Sequence, residues 1–215
     1  MPIKRISPTG NNTSNIEYTN LEPGEYEGRL VYVADLGLQE RSYKGEEKPP
    51  AQQISLGIEI LGETVLIDGE QHPRMLWTKP FNIFHKMSDK GAELKYYSVF
   101  EPGAKEDTVA DWDNVIGRPC NVVVANVRSG DNVYDNITDI QAIPKKYQAN
   151  VPDGVMEGAV GDASDPENPA QKAMYGLAKY VFEKRIDADE PQHKEPARST
   201  PEPRANDEFD DDIPF

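Results

Sequence analysis

The 215-residue chain holds a single cysteine, Cys120, which excludes an internal disulfide and a cysteine-cluster metal site. Its three histidines, His72, His85 and His193, stand at no metal-ligand spacing, so no zinc centre is expected. No apolar run comes near the roughly 18 residues that a membrane-spanning helix needs. The opening MPIKRISPTGNN has two basic residues with no apolar stretch behind them, unlike a secretory signal. There is no GxxxxGK(S/T) loop to cradle phosphates. No carboxylate stands beside a His or Cys at a spacing that acid–base or nucleophilic chemistry uses. Asp111 and Asp113, on either side of Trp112, read as a surface turn rather than a metal pair. These absences lead to the expectation of a cytoplasmic, non-enzymatic protein without metal or cofactor.

Positive charge is also scarce. Against 38 acidic residues there are 23 basic ones, a net of −15, which at first argues against a phosphate backbone as partner. The excess is unevenly placed. Residues 1–148 carry 22 acidic and 16 basic side chains, and residues 149–215 carry 16 and 7. More than half of the imbalance sits in less than a third of the chain, so a nucleic-acid site in the body requires a local basic patch.

What is present is β-patterned sequence. After residues 1–20, which read as a flexible arm, Glu25–Leu36 is a strand with Tyr26, Leu30 and Tyr32 on one face and Arg29, Val31 and Val33 on the other. A polar stretch, 37–50, reads as a loop. In Gln53–Leu61, Ile54, Leu56, Ile58 and Ile60 alternate onto one buried face, and Asp68-Gly69 marks a hairpin turn. Arg74–Phe81 is a third strand. Leu94, Tyr97 and Phe100 recur at helical spacing behind a possible cap at Ser88-Asp89. Pro119–Val127 and Asn132–Ile143 are two more strands joined by a tight turn at Ser129-Gly130-Asp131.

Three strands, a helix and two strands form the element order of an all-β (β-rich α+β) domain of the five-stranded OB barrel type over 21–148, with its helix between strands 3 and 4. Residues 149–168 read as a linker. Asn168-Pro169 then opens a helix over 169–186 whose apolar stripe is Met174, Leu177, Ala178, Val181 and Phe182. That stripe predicts packing against the barrel, with self-association or partner docking as the alternative. Residues 187–215, rich in Pro, Glu and Asp, are expected to be a disordered acidic tail.

The tail ends Phe209-Asp210-Asp211-Asp212-Ile213-Pro214-Phe215. A purely solubilising tail has no use for two large apolar side chains in its last three positions, whereas a partner-binding peptide does. Phe215 can fill a pocket while its carboxylate and Asp210–Asp212 meet basic residues. DDDIPF resembles the terminal hexapeptide of bacterial single-stranded-DNA-binding proteins, and Phe209 fits the aromatic that often precedes it. The body is similar instead to the divergent barrels of bacteriophage single-strand binders, with EYEGRLVYVADLG as the opening strand. The resemblance implies an OB barrel that coats single-stranded DNA in replication, recombination and repair. It also implies a tip that recruits polymerase-, helicase-, primase- or nuclease-type partners, and possible homo-oligomers.

Single strands are held by aromatics that stack on bases and cations that meet phosphates. The residues predicted to do so are Arg41, Tyr43, Lys44 and Lys48 in the 1–2 loop, Trp77, Lys79 and Phe81 on strand 3, and Arg128 and Tyr134 beside the 4–5 turn. Trp77 has a core position as its alternative. Lys86, Lys90 and Lys95 read as a solvated helix face and Arg118 as structural. Two other readings stand beside this one: an adaptor that borrows the tip without binding DNA, and an enzyme carrying a recruitment tail.

Overall fold

The computed structural model describes residues 19–186 in full and the backbone of 3–5 and 16–18. Within the predicted arm lie two short strands, β1 (Ile3–Arg5) and β2 (Ile16–Tyr18), so part of that arm joins the sheet. The body is built from β3 (Gly24–Tyr43), β4 (Glu46–Ile67), β5 (Glu70–Trp77), β6 (Phe81–Asn82), helix α1 (Ala92–Phe100), β7 (Pro119–Ser129) and β8 (Asn132–Ala142). Then follow α2 (Lys145–Gln148), β9 (Ala159–Val160), α3 (Pro169–Lys172) and α4 (Gly176–Glu183). The sheet runs β1-β2-β4-β3-β7-β8 with antiparallel pairings, β5 and β6 lie on β4, and β9 adds in parallel to β3.

Where apolar alternation is strong, the strands lie as predicted. Ile54, Leu56, Ile58 and Ile60 of β4 are all buried in the main core, but Ser55, Gly57 and Glu59 between them are buried as well, so this stretch is covered on both faces rather than the one expected. Asp68 and Gly69 both take positive φ, as a two-residue hairpin turn demands, and Gly130 does so in the β7–β8 turn.

The predicted loop 37–50 is not a loop. β3 and β4 run on through it as a ribbon paired from Leu38↔Gln52 to Tyr43↔Glu46, and Lys44 and Gly45 turn it with φ of 53° and 81°. The apolar signal was missing because almost every side chain from 40 to 50 meets water. Pro49-Pro50 fall at a register shift, where two β4 residues oppose one of β3, so their missing N–H groups do not break the ladder.

A second irregularity corrects the face assignment of β3. The register shifts between Leu30 and Tyr32, so Leu30 and Val33 both enter the main core while Tyr32 turns outward. Ala34 and Leu36 also face outward, into a smaller cluster with Met174 and Ala178. The middle of β3 is thus buried on both sides.

The outer cover is the segment predicted to be a linker and one helix. Backbone N–H groups of Val155 and Met156 donate to the buried Glu59 carboxylate at 3.0 and 3.3 Å, and Gly161 N–H donates to Val33 O at 2.7 Å. Asn168 caps α3 by accepting from Ala170 N–H at 2.9 Å, with Pro169 in the first turn as predicted. The single predicted helix is broken at 173–175, and Gly176 restarts it at φ +58°. The break turns Leu177 into solvent while Met174 and Ala178 pack on β3.

Third-strand residues are interrupted as well. Thr78 leaves the β5 ladder to bond β4, its hydroxyl accepting from Leu56 N–H and its carbonyl from the Ser55 hydroxyl. Helix α1 is capped at Gly91 rather than at Ser88-Asp89, and its Tyr97 and Phe100 are buried. At the far side Arg74 of β5 pairs with Asp135 of β8, both buried, while Asp135 also accepts from Asn20 and Leu21 N–H. Among the described residues no helix is long and apolar enough to cross a membrane.

Candidate nucleic-acid interface

Side chains alternate along a strand, and in the exposed ribbon this sorts charge by face. Cross-strand partners Arg41↔Lys48 and Tyr43↔Glu46 lie on one face and Ser42↔Glu47 on the other. Among the paired positions Glu46 is the one carboxylate on the Arg41 face, and Lys48 holds it at 2.7 Å. Composition alone makes the ribbon neutral; the pleat makes one face of it cationic and aromatic.

That face borders a cleft of about 480 Å³ lined by Glu40, Arg41, Ser42, Tyr43, Lys48, Gln53 and Asn82, so Glu40 also reaches its rim. Gln53 and Asn82, joined at 3.0 Å, form its amide floor. Tyr43 is 61% exposed and Phe84 51%. The Arg41 guanidinium lies 5.3 Å from the Phe84 ring centre, and the Lys44 ammonium 5.4 Å from that of Tyr43. Phe84 was not predicted. The signal was there: Phe84-His85-Lys86 sets an aromatic beside basic residues in a polar turn, as Tyr43-Lys44 does. Lys86 and Lys90 lie in this same turn-rich connection before α1, not on the helix, and only Lys95 belongs to it. Lys95 bonds Asp139 at 3.0 Å, which raises the ammonium above its ordinary value and holds the carboxyl below its own.

The other predicted contacts scatter. Lys79 is exposed in the break between β5 and β6. Phe81 is buried against the Tyr96 ring at 4.9 Å, because the break resets the alternation that had grouped it with Trp77 and Lys79. Trp77 is half-buried on the outer face, stacked on Tyr32 at 6.3 Å and packed against the cluster under α4. Gly57 lies beneath it; a Cβ there would meet the indole at 3.1 Å. Arg128 and Tyr134 are exposed near the β7–β8 turn. Because β7 pairs with β3 from Gly24 to Arg29, that turn lies beyond the start of β3, and the ribbon face at its end. The predicted set is therefore split along β3 rather than gathered in one clamp.

Arg118 donates to Phe100 O and Glu101, joining α1 to β7 as a structural residue. Burial pushes the Cys120 thiol up to about 12, leaving it no nucleophilic character at neutral pH. Among the described residues no three His, Cys, Asp or Glu side chains gather as metal ligands would. The tip residues Phe209, Asp210, Asp211, Asp212, Ile213, Pro214 and Phe215 lie outside the described residues. Compared with known proteins, the chain matches no family model and no curated sequence.

Proposed function

We propose that this chain binds single-stranded DNA across the cationic face of the β3–β4 ribbon and recruits replication and recombination proteins through its DDDIPF tip. The observation that carries the reading is the Arg41–Phe84 and Tyr43–Lys44 pairing beside Lys48. Two exposed rings available for bases, with cations beside them for phosphates, meet what sequence-tolerant strand binding requires. An OB-type barrel is part of the proposal. It is supported by β3 pairing with β7 from Gly24 to Arg29 and with β4 from Gly28 to Tyr43, by α1 between the third and fourth long strands, and by the Arg74–Asp135 pair drawing β5 towards β8.

The competing reading, an adaptor that docks on replication proteins without touching DNA, draws on the ribbon's own carboxylates, Glu47 on the other face and Glu40 at the rim of the cleft. A titration separates the two. Labelled oligo-dT followed by anisotropy should bind full-length protein, with affinity falling as salt rises by a log–log slope of about −0.7 per phosphate neutralised. Tyr43→Ala and Arg41→Ala should weaken it. A flat salt response, or equal affinity for duplex and single strand, overturns the DNA-binding reading. For the tip, deleting Phe215 alone should abolish capture of replication proteins and leave DNA affinity unchanged.

A further inference from the structure

Helix α4 presents more than a packing surface. Its inward side, with Ala178, Val181 and Phe182, lies over Ala34, Leu36 and Trp77. Its outward row is Leu177, Tyr180 and Lys184, at i, i+3 and i+7, with Leu177 52% and Tyr180 53% exposed. Lys179 is exposed beside it. The Lys184 ammonium sits 4.2 Å from the Tyr180 ring centre and the Arg185 guanidinium 4.1 Å from that of Phe182. From Gly176 to Ile186 there are three basic residues and one acidic, in a chain of net charge −15. Exposed ring with adjacent cation is also the composition of the ribbon face.

The two surfaces are contiguous. The Gln39 amide donates to Val181 O at 3.1 Å, and Ile186 N–H donates to Leu38 O at 2.8 Å, so the end of α4 is fastened to the root of the ribbon. Arg185 lies along Gly37, where a Cβ would meet its side chain at 2.9 Å. Gln39 points to the side that α4 covers, and strand alternation carries Arg41 and Tyr43 to that same side.

We propose that α4 is a second subsite for single-stranded nucleic acid. A strand leaving the ribbon cleft crosses the root at Gln39, stacks a base on Tyr180 and sets its phosphates against Lys179, Lys184 and Arg185. The inference rests on the ribbon reading and lengthens it: the ribbon anchors the strand and α4 extends the site.

The experiment uses full-length protein and labelled oligo-dT of about six and about sixteen nucleotides, spanning the ~4–16 that one such domain occludes. Tyr43→Ala/Arg41→Ala should weaken both lengths by about tenfold or more. Tyr180→Ala/Lys184→Gln should leave the six-mer unchanged and weaken the sixteen-mer by about fivefold or more, with a salt slope shallower by about 0.7 for each phosphate no longer neutralised. Tyr180→Phe should retain the long-oligo affinity, because it keeps the ring. Lys179→Glu, on an exposed position with no packing role, should reproduce the length-dependent loss if the double variant is poorly folded.

If the ribbon variants lose affinity while the α4 variants bind both lengths like the parent, the second subsite is wrong and the ribbon reading stands. If the α4 variants change the sedimentation coefficient of the free protein rather than the affinity, the surface joins copies of this chain and the inference is overturned. If the parent binds neither oligonucleotide, the DNA-binding reading itself falls.

Discussion

Two exposed side chains and one half-buried one divide the aromatic contribution to this molecule. Tyr43 and Phe84 expose more than half of their surface and support no core. Replacing either with Ala should therefore cost about 1–3 kcal/mol of strand binding and almost no stability. Trp77 should behave in the opposite way. It bridges Tyr32 and the cluster beneath α4, so Trp77→Ala should cost about 3 kcal/mol of stability, the low end for a large aromatic, with the ribbon's affinity retained. Thermal unfolding run beside oligonucleotide titration checks all three. Loss of binding without loss of stability at Trp77 would assign the indole to the strand.

Glu93 sets a pH dependence. Its carboxyl is raised above the ordinary carboxylate range, chiefly by burial, while the Phe84 backbone N–H and the Trp112 indole pull it down. The Trp112 N–H nevertheless has no hydrogen-bond partner, so its pull is that of a neighbour at imperfect geometry. The folded state thus holds this proton more tightly than the unfolded chain does. Stability is retained below the unfolded value of about 4.5 and declines as pH rises from there through the raised folded value. Glu93→Gln, neutral throughout, should melt at a temperature that gains on the parent as pH increases from about 4.5 to 7. A constant difference across that range contradicts this account.

At the scale of elements, the segment 149–186 is a strap. It is held by Glu59 through two backbone N–H groups, by the Gln171 amide donating to Asp35 O at 2.7 Å, and by Arg29 donating to the carbonyls of Val151 and Pro152. Cutting the chain after Pro144 should expose Tyr32, Ala34, Leu36 and Trp77 together. The expected result is a lower melting temperature and binding of an apolar dye, because a contiguous apolar patch is uncovered. A truncated protein with unchanged melting and no dye binding would show that the strap only rests on the sheet. The ribbon needs no such cover. Its exposed residues meet water on both faces, and its shape comes from backbone pairing and the Lys44-Gly45 turn.

For the whole molecule, the Arg74–Asp135 pair is the one buried ionic link between β5 and β8 among the described residues. Arg74 also donates to Thr19 O, and Asp135 also holds Asn20 and the Leu21 N–H, so the pair gathers the chain's entry into the domain as well. Arg74→Ala leaves a buried carboxylate without its cation and should cost about 3–5 kcal/mol in chemical denaturation. Arg74→Met/Asp135→Leu should recover part of that loss, since replacing both charges removes the unpaired one. Equal losses in the two variants would show that packing, not charge, joins these strands. The uneven charge of the chain acts at this scale too. On the proposed DNA-binding reading, deleting residues 207–215 should raise strand affinity, most at low salt, because carboxylates tethered to the domain would compete with phosphates for the ribbon's few cations. Unchanged affinity at low salt would mean the tail does not reach the ribbon.

Local chemistry was enough to determine much of this protein from its sequence. The run Ile54, Leu56, Ile58, Ile60 announced a strand with that face in the core, though not that Ser55, Gly57 and Glu59 on its other face are buried too. Asp68-Gly69 and Gly130 supply the positive φ that tight turns need, and Asn168-Pro169 supplies a cap and a first helical residue. Each of these signals is complete within a few residues. What tertiary structure decided depends on partners distant in sequence. The register shift at Leu30/Tyr32 turns Tyr32 outward, and no alternation within β3 announces it because pairing with β4 creates it. The fate of Trp77 followed from Tyr32 and α4, and the burial of Phe81 from the interruption at Thr78. The sidedness of the ribbon arose when its two polar halves paired and the pleat set Arg41, Tyr43 and Lys48 together, with Ser42 and Glu47 on the reverse. A strand's pattern records which residues alternate; only its neighbours determine which way the alternation points.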